Sequence, residues 1–193
     1  MKIIKEILSW TFTFVLVYVI VLGIQRFVLQ PFEVDGQSMD YTLADGERLF
    51  MYKLGNVDRF DVVVIESPIE ENELYVKRVI GLPGDSLAVK NDQLILNGKA
   101  MEEPYLTQKQ AESSGDFTDA FDLATITGEA TIPQGFVFVL GDNRQHSVDG
   151  RTFGLIPMEA VVGEANFIYW PINKMGLLPS YQLNEDATAI ISQ

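Results

Sequence analysis

A mainly β protein built from antiparallel hairpins, behind one N-terminal transmembrane helix, is the fold the sequence predicts. Three observations predict it. An uncharged apolar run fills residues 7–25, short β-branched and aromatic runs recur beyond Pro31, and Gly, Pro, Asn and Asp separate those runs.

The first run reads ILSWTFTFVLVYVIVLGIQ, 19 residues between Glu6 and Arg26. As a helix it spans roughly 28 Å, close to the thickness of a bilayer's hydrocarbon core. It is apolar all round, which suits lipid better than the surface of a soluble domain. Lys2 and Lys5 precede it and acidic residues dominate the chain beyond it, so the positive-inside tendency puts the N-terminus in the cytoplasm. Trp10 falls near the inner interface. A cleaved secretory signal is the other reading. The run is longer than a usual h-region, and QRFVLQPFEVDG beyond it offers no small-x-small site. The expectation is a single-pass protein of the cell membrane. Residues 1–30 form its cytoplasmic tip and anchor, and residues 31–193 an extracellular domain. Pro31 is expected to end the helix by denying it a backbone donor.

Beyond Pro31 the stretches RLFMYKL, DVVVIES, ELYVKRVIGL, SLAVKN, QLILNGK and GFVFVLGD read as strands. LPGD at 82–85 is a turn signal, and LNGK at 96–99 a hairpin signal. Residues 103–131 are more polar and less regular, and read as an inserted flap or lobe.

Composition narrows the chemistry. The chain of 193 residues carries a net charge of −13, which opposes binding to nucleic-acid phosphates. It has no cysteine and one histidine, His146, so disulfides, thiol catalysis, zinc-thiolate sites and multi-imidazole metal sites are all excluded within one chain. No metal or cofactor is expected.

A serine needs a base before it attacks an amide at neutral pH. Ser38, in GQSMDYTL just beyond the apolar run, is the candidate nucleophile. Two bases compete. His146 lies among turn formers in GDNRQHSVDG, and its plain reading is a loop residue, although spacing alone does not exclude a Ser-His-Asp triad. Lys77 lies in LYVKRVIGL, where nearly all else is apolar. On a strand Tyr75, Lys77 and Val79 share one face and Val76, Arg78 and Ile80 the other, so one of the two cations must enter apolar surroundings or reach an edge. A desolvated lysine loses its preference for the charged form and can accept a proton near neutrality. The plain alternative is a lysine that snorkels to water.

Three stretches occur in order: SM after the anchor, YVKRVIGLPGD, and GDNRQHSVDGRTFG. Together they closely resemble type I signal peptidases, membrane-bound serine proteases that remove signal peptides from exported proteins. The length and single anchor look like the compact Gram-positive form. The resemblance implies antiparallel sheets forming a partly barrel-like catalytic domain. It implies Ser38 as nucleophile and Lys77 as general base, a Ser-Lys dyad without histidine. Ser147 would orient the lysine, Asp149 and Arg151 would brace the site by a salt bridge, and Asp142 would support it. Met39 is expected to be buried packing. The oxyanion would be held by the Ser38 N–H. A serine that some members carry two residues earlier is Gly36 here, leaving close backbone approach or a water to substitute.

Two positions depart from the family pattern. Tyr41 stands where proline is usual, which should loosen the turn after Ser38. Gly150 stands where serine is common, costing a hydroxyl and adding backbone freedom.

The implied substrate is an extended segment of a preprotein with small residues at alternate positions, laid on a sheet edge beside the lipid bilayer. Phe32, Val34 and Ile80 are candidate pocket walls, with ordinary core packing the other reading for each. Two further functions compete. One is a non-catalytic signal-peptidase-like binding or assembly protein of the cell surface, to which Tyr41 points and which the retention of Ser38 and Lys77 opposes. The other is a self-cleaving repressor, which also uses a Ser-Lys dyad but needs a DNA-binding domain and a cytoplasmic setting.

Overall fold

The computed structural model describes residues 2–192. Its first element is α1 (Lys2–Phe27), a helix with no buried residue that is long and apolar enough to cross a membrane. Fourteen strands come after it among the described residues. The first seven are β1 (Leu29–Glu33), β2 (Arg48–Tyr52), β3 (Val62–Glu66), β4 (Leu74–Gly81), β5 (Leu87–Lys90), β6 (Gln93–Leu96) and β7 (Lys99–Met101). After short helix α2 (Thr107–Glu112) come β8 (Phe121–Asp122), α3 (Leu123–Thr127), β9 (Phe136–Leu140) and α4 (Gly150–Phe153). The chain closes with β10 (Ile156–Pro157), β11 (Val161–Trp170), β12 (Gly176–Leu177), β13 (Tyr181–Leu183) and β14 (Ile190–Ser192).

Eight strands make one antiparallel sheet in the order β1-β2-β11-β3-β4-β9-β10, with β12 beside β11. Its curl follows from bulges. Long β11 breaks register three times, between Val161 and Gly163, Ala165 and Phe167, and Ile168 and Trp170, and β4 breaks once between Val79 and Gly81. Each bulge bends its strand and raises the local twist, rolling the sheet into a half-barrel. At Gly163 a Cβ would sit 2.6 Å from the Tyr52 carbonyl oxygen, so β11 approaches β2 there as only glycine allows. A second sheet, β7-β6-β5-β8, holds the 96–99 hairpin. Asn97 (φ 52°) and Gly98 (φ 77°) supply the left-handed pair that a two-residue turn needs.

The run VVVI of β3 is apolar without alternation because both faces are buried. Val62 and Val64 join a core with Met39, Leu43, Leu49, Met51 and Val76, whereas Val63 and Ile65 join a core with Val79, Val137 and Val139. A third core lies between the sheets, around Phe60, Ile80, Leu96 and Phe138. Residues 103–131 contribute to it through Leu123, Tyr105, Phe121 and Ile126.

Two sequence expectations change. The helix ends at Phe27, before Pro31, and Pro31 lies inside β1 opposite Phe50. An edge strand tolerates the missing donor because one side of its backbone has no neighbour to serve. Strand β11 was not expected, since Glu164 and Asn166 interrupt its apolar pattern.

Candidate active site

Ser38 follows β1 in a turn. Gly36, two residues earlier, has φ 91°, a conformation that favours glycine, and its N–H donates to Asp45 Oδ1 at 2.8 Å. That N–H is already engaged, so Gly36 serves an oxyanion only if this bond opens. The Ser38 N–H has no intramolecular acceptor among the described residues. The turn is seated from below by Met39, which is 1% exposed, as expected of packing. It is pinned from the side by Asn143, whose backbone N–H donates to Ser38 O (2.9 Å) and whose Nδ2 donates to Gln37 O (2.9 Å). The GDNR motif by itself gives Asn143 no role; only the fold reveals it.

Lys77 comes from the middle of β4. Its Nζ lies 2.8 Å from Ser38 Oγ, and the side chain is 3% exposed, with the Tyr75 ring centroid 5.1 Å away on the same strand face. Burial pushes the lysine down from 10.5 to about 8, while the Asp149 and Asp142 carboxylates pull the other way. The rival base is elsewhere. His146 is exposed in a 3-10 turn (Arg144–His146) and makes no side-chain hydrogen bond among the described residues.

Arg78, next in the strand, is also buried, so both cations of LYVKRVIGL leave water. Arg78 is compensated by a two-pronged ion pair, Nε to Asp142 Oδ1 (2.9 Å) and Nη2 to Asp142 Oδ2 (2.6 Å), with Nη1 donating to Phe60 O (2.8 Å). Burial works against its charge, but Asp142 more than restores it and raises its pKa. Asp142 also accepts from Thr42 Oγ1 at 2.5 Å, so it joins β4 to the turn bearing Ser38.

Asp149 and Arg151 pair with both carboxylate oxygens engaged, each at 2.8 Å. Burial opposes the Asp149 charge, yet Arg151 and the Gly141 N–H, at 3.0 Å, hold its pKa below the ordinary value. Arg151 Nη2 reaches Arg144 O at 2.6 Å, so the pair locks the loop around Gly141. Ser147 departs from its implied role. Its hydroxyl is buried without a hydrogen-bond partner and does not bond Lys77. It packs over Gly141, where a Cβ would lie 2.2 Å from Ser147 Oγ and 2.6 Å from Ser38 O.

The candidate wall residues separate. Phe32 is half-buried beside the core that holds Val34 (4% exposed), whereas Ile80 has no exposed surface and packs with Phe60 and Leu87. Ile80 offers substrate no contact in this conformation.

Both departures from the family pattern acquire reasons. Tyr41 has φ 78°, which proline cannot adopt, so the turn follows a different path instead of a looser version of the same one. At Gly150 a Cβ would meet the Phe138 ring and the Val139 carbonyl oxygen at 2.8 Å, so the space of a serine side chain is already filled.

A buried, partly neutralised amine within hydrogen-bond distance of a hydroxyl can deprotonate that hydroxyl for attack on a carbonyl. No group of three or more His, Cys, Asp or Glu suited to a metal ion occurs among the described residues.

Comparison with known proteins gives one answer. Residues 7–170 match the family described as signal peptidase, peptidase S26. A protein of Staphylococcus aureus (strain COL) named signal peptidase IB is 40% identical over 179 residues, covering 88% of this chain and 93% of its own. A Bacillus licheniformis protein named signal peptidase I is 42% identical over 178 residues, covering 89% and 92%. The crystal structure of a signal peptidase I from Enterococcus faecalis V583 superposes with a TM-score of 0.55 at 37% identity, covering 57% of this chain and 97% of that one.

Proposed function

The chain belongs to the signal peptidase family, peptidase S26, and on that premise we propose a membrane-bound serine endopeptidase that removes signal peptides from exported preproteins using Ser38 and Lys77. The observation that carries the mechanism is the 2.8 Å contact between Ser38 Oγ and the buried Lys77 amine. Neutral Lys77 takes the hydroxyl proton as Ser38 attacks the scissile carbonyl carbon. The oxyanion that forms is stabilised by the Ser38 N–H. Protonated Lys77 then gives its proton to the leaving amine, the carbon–nitrogen bond breaks, and an ester to Ser38 remains. Water, activated by the again neutral lysine, hydrolyses that ester. Asp142, paired with Arg78, and Asp149, paired with Arg151, fix the frame in which Ser38 and Lys77 meet.

The substrate segment is extended and adds to a strand edge near Ser38 by main-chain hydrogen bonds, so alternate side chains face the enzyme. Shallow apolar pockets, with Phe32 and Val34 as candidate walls, admit small side chains and reject bulky ones by clash, which gives a small-x-small preference. Helix α1 fits a single-pass anchor with the N-terminus cytoplasmic and the catalytic part outside. It holds enzyme and membrane-inserted preprotein on one surface and raises their effective concentration. A non-catalytic relative would have no use for a lysine kept buried against the serine.

The test is cleavage of a membrane-inserted preprotein by purified protein. Wild type cleaves after the small-x-small site, and Ser38→Ala does not. Removal of residues 1–30 slows the reaction on vesicles; an unchanged rate there rules out the anchor's role.

A further inference from the structure

The turn that bears Ser38 is fastened to a second element that the mechanism does not use. The Tyr41 hydroxyl donates to Glu112 Oε2, and the Lys109 ammonium sits 4.5 Å from the centre of the Tyr41 ring. Lys109 and Glu112 both belong to α2, three residues apart and therefore on one face. The tyrosine is thus held at its ring and at its tip by one helical turn.

Helix α2 is itself fixed, and from the catalytic side. Just before it, buried Glu103 pairs with buried Arg144, whose Nη1 reaches Glu103 Oε2 at 3.1 Å. Just after it, Ser113 Oγ accepts from Gln145 Nε2 at 3.1 Å, and Thr118 Oγ1 accepts from Arg144 Nη1 at 3.2 Å. Residues 103–118 therefore hold Arg144 and Gln145 at both their ends and the Ser38 turn from the middle, through α2. Arg144 and Gln145 belong to the loop whose Asn143 pins Ser38 O.

The backbone points the same way. Tyr41 holds φ 78°, an unfavourable conformation for a residue with a Cβ, which persists only where its surroundings enforce it. Two turn bonds share the Met39 carbonyl, from Thr42 N (3.0 Å) and Leu43 N (2.8 Å). The remaining restraint on the Tyr41 side chain is the contact with α2.

We infer that Tyr41 is a positioning residue: it clasps the nucleophile turn to α2, so that residues 103–118 hold Ser38 Oγ in register with Lys77. This rests on the peptidase reading, and the experiment separates the two. The full-length protein in lipid vesicles is made as wild type, Tyr41→Phe, Glu112→Ala and the double variant, alanine leaving no acceptor for the Tyr41 hydroxyl. Tyr41→Phe keeps the ring beneath Lys109 and removes only the hydroxyl. Each single variant lowers kcat about fivefold, the weight of one ordinary solvent-exposed hydrogen bond, with KM changed less than about twofold. The double variant is no worse than either single, because both remove one contact. Backbone amide exchange at Thr42 and Leu43 quickens by a similar factor in all three variants, while exchange in β3 and β4 does not change. Unchanged exchange and unchanged kcat overturn the clasp, as does a double variant whose loss is the product of the two singles. Faster exchange with unchanged kcat leaves a fastened turn but removes the positioning role. A wild type that cleaves no preprotein overturns the peptidase reading instead, and the exchange data still decide whether the turn is fastened.

Discussion

Lys77 and Arg78 are adjacent on β4, both buried, and meet opposite partners: Arg78 faces the Asp142 carboxylate at 2.6 Å, and Lys77 faces the neutral Ser38 hydroxyl at 2.8 Å. One cation is compensated and stays charged. The other is left with two carboxylates at longer range and yields its proton more readily. The difference in partner, at similar burial, separates a cation held charged from one whose pKa falls toward neutrality, as the proposed base requires.

The compensated pair predicts a stability loss. Asp142→Asn leaves the Arg78 charge buried against a neutral amide, and should cost about 3–5 kcal/mol. Urea unfolding measures it. A loss below about 1 kcal/mol would show that Arg78 reaches water.

The uncompensated lysine predicts a stability gain. Below about pH 8 the Lys77 ammonium is charged in the folded and unfolded chains alike, and the folded state bears the full burial cost. Between about 8 and 10.5 the folded chain has released the proton while the unfolded chain keeps it, so stability rises with pH across that window. Lys77→Met should therefore stabilise the protein at pH 7 by up to about 3 kcal/mol, less about 1 kcal/mol for the lost Ser38 hydrogen bond. The advantage should vanish by about pH 11. Paired denaturant titrations at the two pH values check both size and direction.

Gly150 predicts a coupling. Gly150→Ser drives a side chain into the Phe138 ring and the Val139 carbonyl, and should destabilise by about 1–3 kcal/mol. Phe138→Leu in the same chain should recover part of that loss, because the ring contact is relieved and the carbonyl contact is not. A double-mutant cycle on unfolding free energies reads the recovery.

Tyr41→Pro predicts that the usual family residue does not suit this turn. Proline fixes φ near −65°, against 78° in the structure, so the turn must re-form around it. Melting temperature and cleavage rate should both fall. A stabilised, faster variant would show that the turn rests in the other conformation.

The sequence made some of this legible and hid the rest for identifiable reasons. Strands β3, β4 and β9 are short apolar runs bounded by turn residues, and their register needs little else. Strand β11 was illegible because Glu164 and Asn166 fall inside it and three bulges break its alternation. The face argument on LYVKRVIGL required one cation to face apolar surroundings or an edge. That both are buried depends on Asp142, 64 positions away, which no local pattern reveals. Ser38, Lys77, Asp142, Asp149 and Arg151 stand out from short motifs, and the fold brings them into one neighbourhood. The Ser147 hydroxyl was expected on Lys77 and is buried without a partner, because orientation within a loop is set by packing against Gly141, not by motif spacing. The path of the chain at Tyr41 is hidden from the sequence because a positive φ is rare for a residue with a Cβ and no local motif signals it, and the partner Glu112 lies 71 positions away.

The most direct test of the central claim, that a buried neutral lysine activates Ser38, is preprotein cleavage between about pH 6 and pH 10 by wild type, Lys77→Ala and His146→Ala. The account predicts that wild-type kcat/KM rises about tenfold per pH unit and levels off above about 8, that His146→Ala follows the same curve, and that Lys77→Ala loses at least about a hundredfold while staying folded. An active Lys77→Ala protein beside an inactive His146→Ala protein would contradict it.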